Sequence, residues 1–236
     1  MAELLQWANE LMAIMAEIKA AAPQPVEENP APEPDIQPSF DKAAFFKAVR
    51  PKLFRRLTSL QVSGMEAKIN EFLKAGWPVS WAAYALATSY HETARQMQPV
   101  REGLGVSDNY RKRHFRYYPY YGRGDVQLTW KENYARADKE LGLNGELLNN
   151  LDKALDPEIS AKIMVLGMAE GWFSGDRKGR HTLARHLPNA QGTFPQFTNA
   201  RRIINLLDKA SMIAGYALDF QKALLAGGYD GDSYPR

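Results

Sequence analysis

Apolar side chains recur along most of this chain at the three- and four-residue spacing of helices, and the exceptions divide it into parts. In residues 2–22, Leu4, Ala8, Leu11, Met15, Ile18 and Ala22 alternate four and three apart, as in a coiled-coil seam. Leu5, Trp7, Met12 and Ile14 widen the apolar face. Three heptads are marginal alone in water, so this helix is expected to pack on its own domain, self-associate or dock on another protein. Residues 23–38 (PQPVEENPAPEPDIQP) are Pro-rich and acidic, which predicts an extended, semi-rigid linker. The compact domain is expected over 39–236.

Within that domain most segments read as helices. Ser63 is a candidate cap for a helix ending at Gly76, and Ser80 for one starting at Trp81 and stopping before Pro99. Asp156-Pro157 has the form of a helix start, with Asp at the cap and Pro in the first turn. Further helices are expected at about 198–208 and 210–226. Between roughly 100 and 128 the helical period fails. Gly103, Gly105, Pro119, Gly122 and Gly124 punctuate a Tyr- and Arg-rich stretch that suits a small irregular β region. The fold class is therefore mainly α, with a small β lobe, preceded by an isolated N-terminal helix and a Pro-rich linker.

Composition narrows the chemistry. The chain has no Cys, which removes disulfides, thiolate metal sites and a Cys nucleophile together. Seven acidic side chains against Lys19 give residues 1–40 a net −6, so residues 41–236 hold +9 of the chain's +3. A basic body is drawn to anionic polymers by long-range attraction. No stretch is long and apolar enough to span a bilayer. The N-terminus lacks a basic region and carries Glu3, Glu10 and Glu17 through its apolar run, unlike a conventional signal peptide.

Glu92 is the first chemical candidate, in the helix running from Trp81. Trp81, Tyr84, Leu86 and Ala87 make its surroundings apolar, so the carboxyl is expected at a core boundary, near a helix C-terminus. Both settings disfavour the anion and suit a carboxylic acid that donates its proton to a leaving glycosidic oxygen. The structural alternative is a surface Glu paired with Arg95. Glu102 follows Pro99 and precedes Gly103, where a loop can bring a second carboxyl across a groove. One acid and one base are the minimal equipment of sugar hydrolysis.

The segment YYGRGDVQLTWKENY, residues 120–134, is the most informative. Gly122 and Gly124 permit tight turns. Arg123, Gln127, Thr129 and Asn133 supply polar groups, and Tyr120, Tyr121, Trp130 and Tyr134 supply flat faces for sugar rings. The segment closely resembles the signature of glycoside hydrolase family 19, Y-[FY]-G-R-G-x-x-Q-[LIS]-[ST]-[WY]-x-x-N-Y, and within it the phage endolysins. HET at His91–Thr93, the M-Q-P-[IV]-x-E pattern at Met97–Glu102 and TNARRIIN at Thr198–Asn205 resemble further family motifs, in the family's order. The resemblance runs from about residue 57 to 222. Two positions depart from it: Asp125 stands where the family has Pro or an apolar residue, placing an extra anion near the cleft, and Leu206-Leu207 follow Asn205 where many relatives have Gly.

The resemblance implies a lysozyme-like, α-rich catalytic domain that inverts the anomeric carbon without a cofactor. Glu92 would be the general acid, Glu102 the base and Thr129 a holder of the attacking water. His91, Tyr121, Arg123, Gln127, Trp130, Asn133 and Asn205 would line the sugar groove. The implied substrate is the glycan strands of bacterial peptidoglycan, with chitin as the alternative. A virion component that keeps the fold and docks through residues 2–22 is the rival outside catalysis. Such a protein would be made in the host cytoplasm and act at the cell wall or periplasm, or travel on the virion.

Other features read as structural. YRKRHFRYYPYY at Tyr110–Tyr121 interleaves bases with aromatics as single-strand nucleic-acid binders do, but beside the glycosidase motif it is read as a cleft wall, with no specific nucleic acid as partner. His181 and His186 lack an evident third ligand, so no metal site is expected.

Overall fold

The computed structural model describes residues 40–230. The expected helix at 2–22 and linker at 23–38 lie outside the described residues. The described chain is mainly helical. It opens with α1 (Lys42–Leu53), α2 (Ser59–Lys74) and α3 (Val79–Glu92), followed by β1 (Val100–Arg101), α4 (Asp108–His114) and β2 (Arg123–Gly124). Next come α5 (Lys131–Glu140), α6 (Glu146–Asn149), a 3-10 turn at Leu151–Leu155 and α7 (Pro157–Glu170). A two-residue hairpin, β3 (Gly175–Asp176) and β4 (Gly179–Arg180), leads to α8 (Leu183–His186), α9 (Phe194–Ala200), α10 (Arg202–Asn205) and α11 (Ala210–Ala226).

The centre of the core is α3. All its residues from Val79 to Tyr90 are buried except Trp81, and Ala82, Ala83, Ala85 and Ala87 keep it slim enough for neighbours on every side. It packs on α11, which also covers α1 and α9, while α2 lies against α7. The first and last described elements are stitched together. The Asp41 amide donates to the Gly227 carbonyl at 2.8 Å, and the Tyr229 hydroxyl donates to the Trp77 carbonyl at 3.0 Å.

Several expected boundaries move. The cap of α2 is Thr58, in a reciprocal capping box with Gln61; Ser63 lies inside the helix, its hydroxyl turned back to the Leu60 carbonyl. Ser80 does not cap α3 either. The helix starts at Val79, two residues before the expected Trp81, and the Ser80 hydroxyl instead donates to the Asn189 carbonyl. α3 also stops at Glu92 rather than before Pro99, because Ala94, Arg95 and Met97 adopt left-handed backbone angles. The single helix expected at 198–208 is two short ones, broken at Arg201. The Asp156-Pro157 start and the helix at 210–226 lie where the sequence puts them. The irregular region contains α4 and the antiparallel pair β1–β2, in register Val100 to Gly124 and Arg101 to Arg123.

Asp125 corrects an expectation. It is fully buried, not an anion at the cleft. Lys68, 1% exposed, places its ammonium 2.7 Å from Asp125 Oδ1 and donates to the Gly64 and Met97 carbonyls. Ser89 donates to Oδ1 and Ser160 to Oδ2, at 2.6 and 2.7 Å. A buried charge is tolerable when it is paired and fully hydrogen-bonded. This network ties α2, α3 and α7 to the segment that follows β2.

Candidate active site

Glu92 closes α3, and the turn after it is what aims the side chain. Thr93 donates from Oγ1 to the Ser89 carbonyl at 2.7 Å and accepts from the Met97 amide at 3.0 Å. Three non-glycine residues with left-handed angles within four positions are strained, and strain of this kind gathers at functional sites. The partner of Glu92 is not Arg95, which instead lies over the Tyr90 ring. It is Arg201, 1% exposed, whose Nη1 stands 2.8 Å from Glu92 Oε1. The contact is one of charge more than of hydrogen bonding. Among the described residues, Tyr84 Oη, Thr88 Oγ1, Glu92 Oε1 and Arg201 Nη1 are all buried without an aligned hydrogen-bond partner. Burial pushes the Tyr84 phenol well above its ordinary range, opposed by the Arg201 cation.

A cavity of about 370 Å³ opens beside Glu92, lined also by Gln127, Thr129, Trp130, Asn133 and Asn205. Six of the residues singled out from sequence thus converge from α3, the 127–133 segment and α10. Tyr117, Val126, Phe173 and Ile204 complete its wall. Phe173 stands there because α7 has a glycine behind it: a Cβ on Gly167 would lie 2.2 Å from the ring.

The 127–133 segment is held by its own amides and hydroxyl. Gln127 takes a left-handed backbone, and its side-chain amide donates to the Val100 and Gly124 carbonyls at 3.3 and 3.1 Å. Only its carbonyl oxygen remains for a ligand. The Thr129 hydroxyl donates to the Gln127 carbonyl at 2.8 Å, which leaves its lone pairs free to accept from a water. Asn133 donates to the Thr129 carbonyl at 2.9 Å. Trp130, also left-handed, is 43% exposed and sits edge-on to Tyr117, with the Arg116 guanidinium over its other side. A flat, half-bare indole beside a polar floor suits sugar stacking.

Glu102 is not among the residues that line the cavity. Its amide donates to the Gly122 carbonyl at 2.7 Å. Its Oε1 accepts from the Tyr117 hydroxyl at 2.6 Å and its Oε2 from the Gly122 amide at 2.9 Å. Burial, reinforced by the Glu102 carboxylate, pushes the Tyr117 phenol up to about 12. A Cβ on Gly122 would come within 3.2 Å of Glu102 Oε2 and 2.7 Å of Gln127 Oε1, so the bare backbone there fixes both side chains.

Three expected groove residues lie elsewhere. His91 faces a separate hollow with Tyr90, Ala94, Arg95, Met212 and Tyr216, and burial lowers its pKa. Tyr121 and Arg123 are buried scaffold. The Arg123 guanidinium stacks 3.7 Å from the Tyr121 ring centroid, donates to the Pro119 and Tyr121 carbonyls and to the Tyr134 hydroxyl, and pairs with Asp152. Burial works against the Asp152 anion, yet hydrogen bonds from Arg101 and Arg123 carry its pKa below the ordinary value. Two residues escaped the sequence reading. Arg201 sits inside TNARRIIN beside Asn205 with no signal of its own, and Tyr117 is one of several tyrosines in the aromatic and basic stretch. Leu206, with a φ of 45°, ends α10 and leaves Asn205 in the cavity wall. His181 and His186 face each other at 3.0 Å, and among the described residues no group of three metal-ligating side chains occurs.

Comparison with protein-family models gives no match for this chain. Over 55 residues it is 51% identical to an acidic 26 kDa endochitinase of Solanum lycopersicum, covering 23% of this chain and 19% of that protein. It is 47% identical over 55 residues to an acidic endochitinase of Solanum chilense, again over 19% of the relative's length. A crystal structure of a chitinase C mutant aligns over 83% of this chain and 94% of its own, with 20% identity and a TM-score of 0.47.

Proposed function

We propose that this chain is a glycoside hydrolase of phage-lysozyme type that cleaves β-1,4 bonds between N-acetylated sugars of bacterial peptidoglycan, with inversion. The observation that carries the reading is the single cavity that gathers Glu92, Thr129, Trp130, Asn133 and Asn205, the residues for which the sequence resembles family 19. The local identity to two endochitinases supports the same bond type. Glu92 protonates the leaving oxygen, Glu102 is the base for the attacking water, and Thr129 accepts a hydrogen bond from that water. Inverting enzymes keep their two carboxyls roughly 6.5–9.5 Å apart to admit it. Trp130 stacks on a pyranose ring, while Gln127 and Asn133 present amide groups to its substituents.

Two features favour peptidoglycan over neutral chitin: the basic body, and Arg116 exposed on Trp130 at the cavity rim. Chitin remains the second reading, because the curated relatives are endochitinases. Residues 2–22 serve association with another copy or a partner protein, at the wall or on a virion, rather than bond cleavage. The decisive experiment incubates the protein separately with purified peptidoglycan and with chitin oligomers, followed by mass analysis of the fragments. Release of fragments ending in N-acetylmuramic acid supports a muramidase. Turnover of chitin alone shifts the assignment to the second reading, and no fragments from either substrate ends both.

A further inference from the structure

Glu102, the base in this reading, is not among the residues that line the cavity where its water stands, whereas the hydroxyl bonded to it belongs to one that is. Both carboxylate oxygens are engaged, Oε1 by the Tyr117 hydroxyl and Oε2 by the Gly122 amide, and the side chain is not part of the cavity wall. Tyr117 is part of that wall, beside Trp130 and on the same cavity as Thr129 and Glu92. A phenol that donates one hydrogen bond still has lone pairs with which to accept another. We infer that Tyr117 is the proton relay of the reaction, receiving a proton from the attacking water as its own passes to Glu102.

The step balances without any further reactant. As the water oxygen bonds to the anomeric carbon, one of its O–H bonds breaks and that proton goes to Tyr117 Oη. The Tyr117 proton moves along the existing 2.6 Å hydrogen bond to Glu102 Oε1. On the other side the glycosidic C–O bond breaks, and its electron pair takes the Glu92 proton. The turn ends with Glu102 neutral, Glu92 anionic beside Arg201, and Tyr117 unchanged; solvent returns the proton from Glu102 to Glu92. A phenol pushed up to about 12 stays protonated between turnovers, as a relay requires, because a resting phenolate could not donate to Glu102. The short contact and the edge-on packing against Trp130 hold the relay on the same side of the cavity as the stacking ring.

This inference rests on Glu102 as the base, and the test separates the two claims. The variants are Tyr117→Phe, Glu102→Gln and both together, measured for kcat and KM on whichever of purified peptidoglycan or chitin hexasaccharide the wild type cleaves. A general-base step is worth about 100-fold or more, so Tyr117→Phe should lower kcat by at least about that factor while KM moves little. Because both groups serve one proton path, the double variant should lose no more than Glu102→Gln alone. Azide, which attacks without losing a proton, should restore turnover in each single variant. Placing 3-fluorotyrosine at 117 keeps the shape and acidifies the phenol, and should shift the pH profile of kcat. Near wild-type kcat in Tyr117→Phe, or losses that multiply in the double variant, would overturn the relay and leave Tyr117 a clamp. Full activity in Glu102→Gln would remove the base assignment itself, and the relay with it.

Discussion

Lys68→Met removes the cation from the middle of the domain and leaves its carboxylate behind. Methionine fills much of the lysine's apolar stem, so little cavity forms and the charge dominates the cost. Asp125 keeps the Ser89 and Ser160 hydroxyls, but the Gly64 and Met97 carbonyls lose their donor. Breaking a buried pair by removing one partner costs about 3–5 kcal/mol. At roughly 2–4 °C per kcal/mol for a domain of this size, Tm should fall by roughly 6–20 °C. Adding Asp125→Asn removes the stranded charge, so the double variant should be destabilised by less than the two single losses combined. Urea denaturation at fixed pH, with the slope unchanged, measures this directly. A Lys68→Met protein within about 1 kcal/mol of wild type, or strictly additive losses, would refute the view that charge pairing governs this network.

Glu92→Gln keeps shape and removes the transferable proton, and should cut turnover by orders of magnitude while leaving the melting curve in place; near wild-type clearing of wall suspensions would exclude it as the acid. Direct observation of the first product by NMR should find the inverted anomer, whereas retention would imply a nucleophile and a covalent intermediate. His186 gives a pH signature. Burial first, and then the His181 charge, lower its pKa from 6.5 to about 4. Between those values the imidazole is neutral in the fold and protonated in the unfolded chain, so it subtracts stability as pH falls from about 6.5 to about 4 and no more below that. His186→Gln should flatten this part of the Tm–pH curve relative to wild type, and an unchanged difference across the range would contradict the assignment.

The sequence made some parts of this molecule legible because their causes are local. Asp156 caps α7 with its own side chain, and the apolar spacing of α11 needs nothing beyond the helix itself. The cavity residues at 127–133 were visible because one short segment carries them all. What stayed hidden depends on partners far along the chain. Asp125 looked like a cleft anion until Lys68, 57 residues earlier, appeared beside it. Arg95, three residues from Glu92, was the obvious ion partner, but a left-handed turn carries it away and Arg201 takes its place. Tyr121 and Arg123 share a motif with cavity residues yet face inward, because the chain turns between the two sets, with positive φ at Gly124 and Gln127.

The stitch between Asp41 and Gly227, and between Trp77 and Tyr229, bears on when the domain can close during its own synthesis. Translation at 5–20 residues per second puts Arg201 roughly 5–20 s behind Glu92. For that interval Glu92 has no counter-charge and the cavity lacks Asn205 and Ile204 from its wall. α11 comes later still, and until it does α1 and α3 have a bare apolar face where Phe220 and Leu224 belong. A chain released before α11 is made lacks the helix that covers α1, α3 and α9, so such a truncation should remain unfolded.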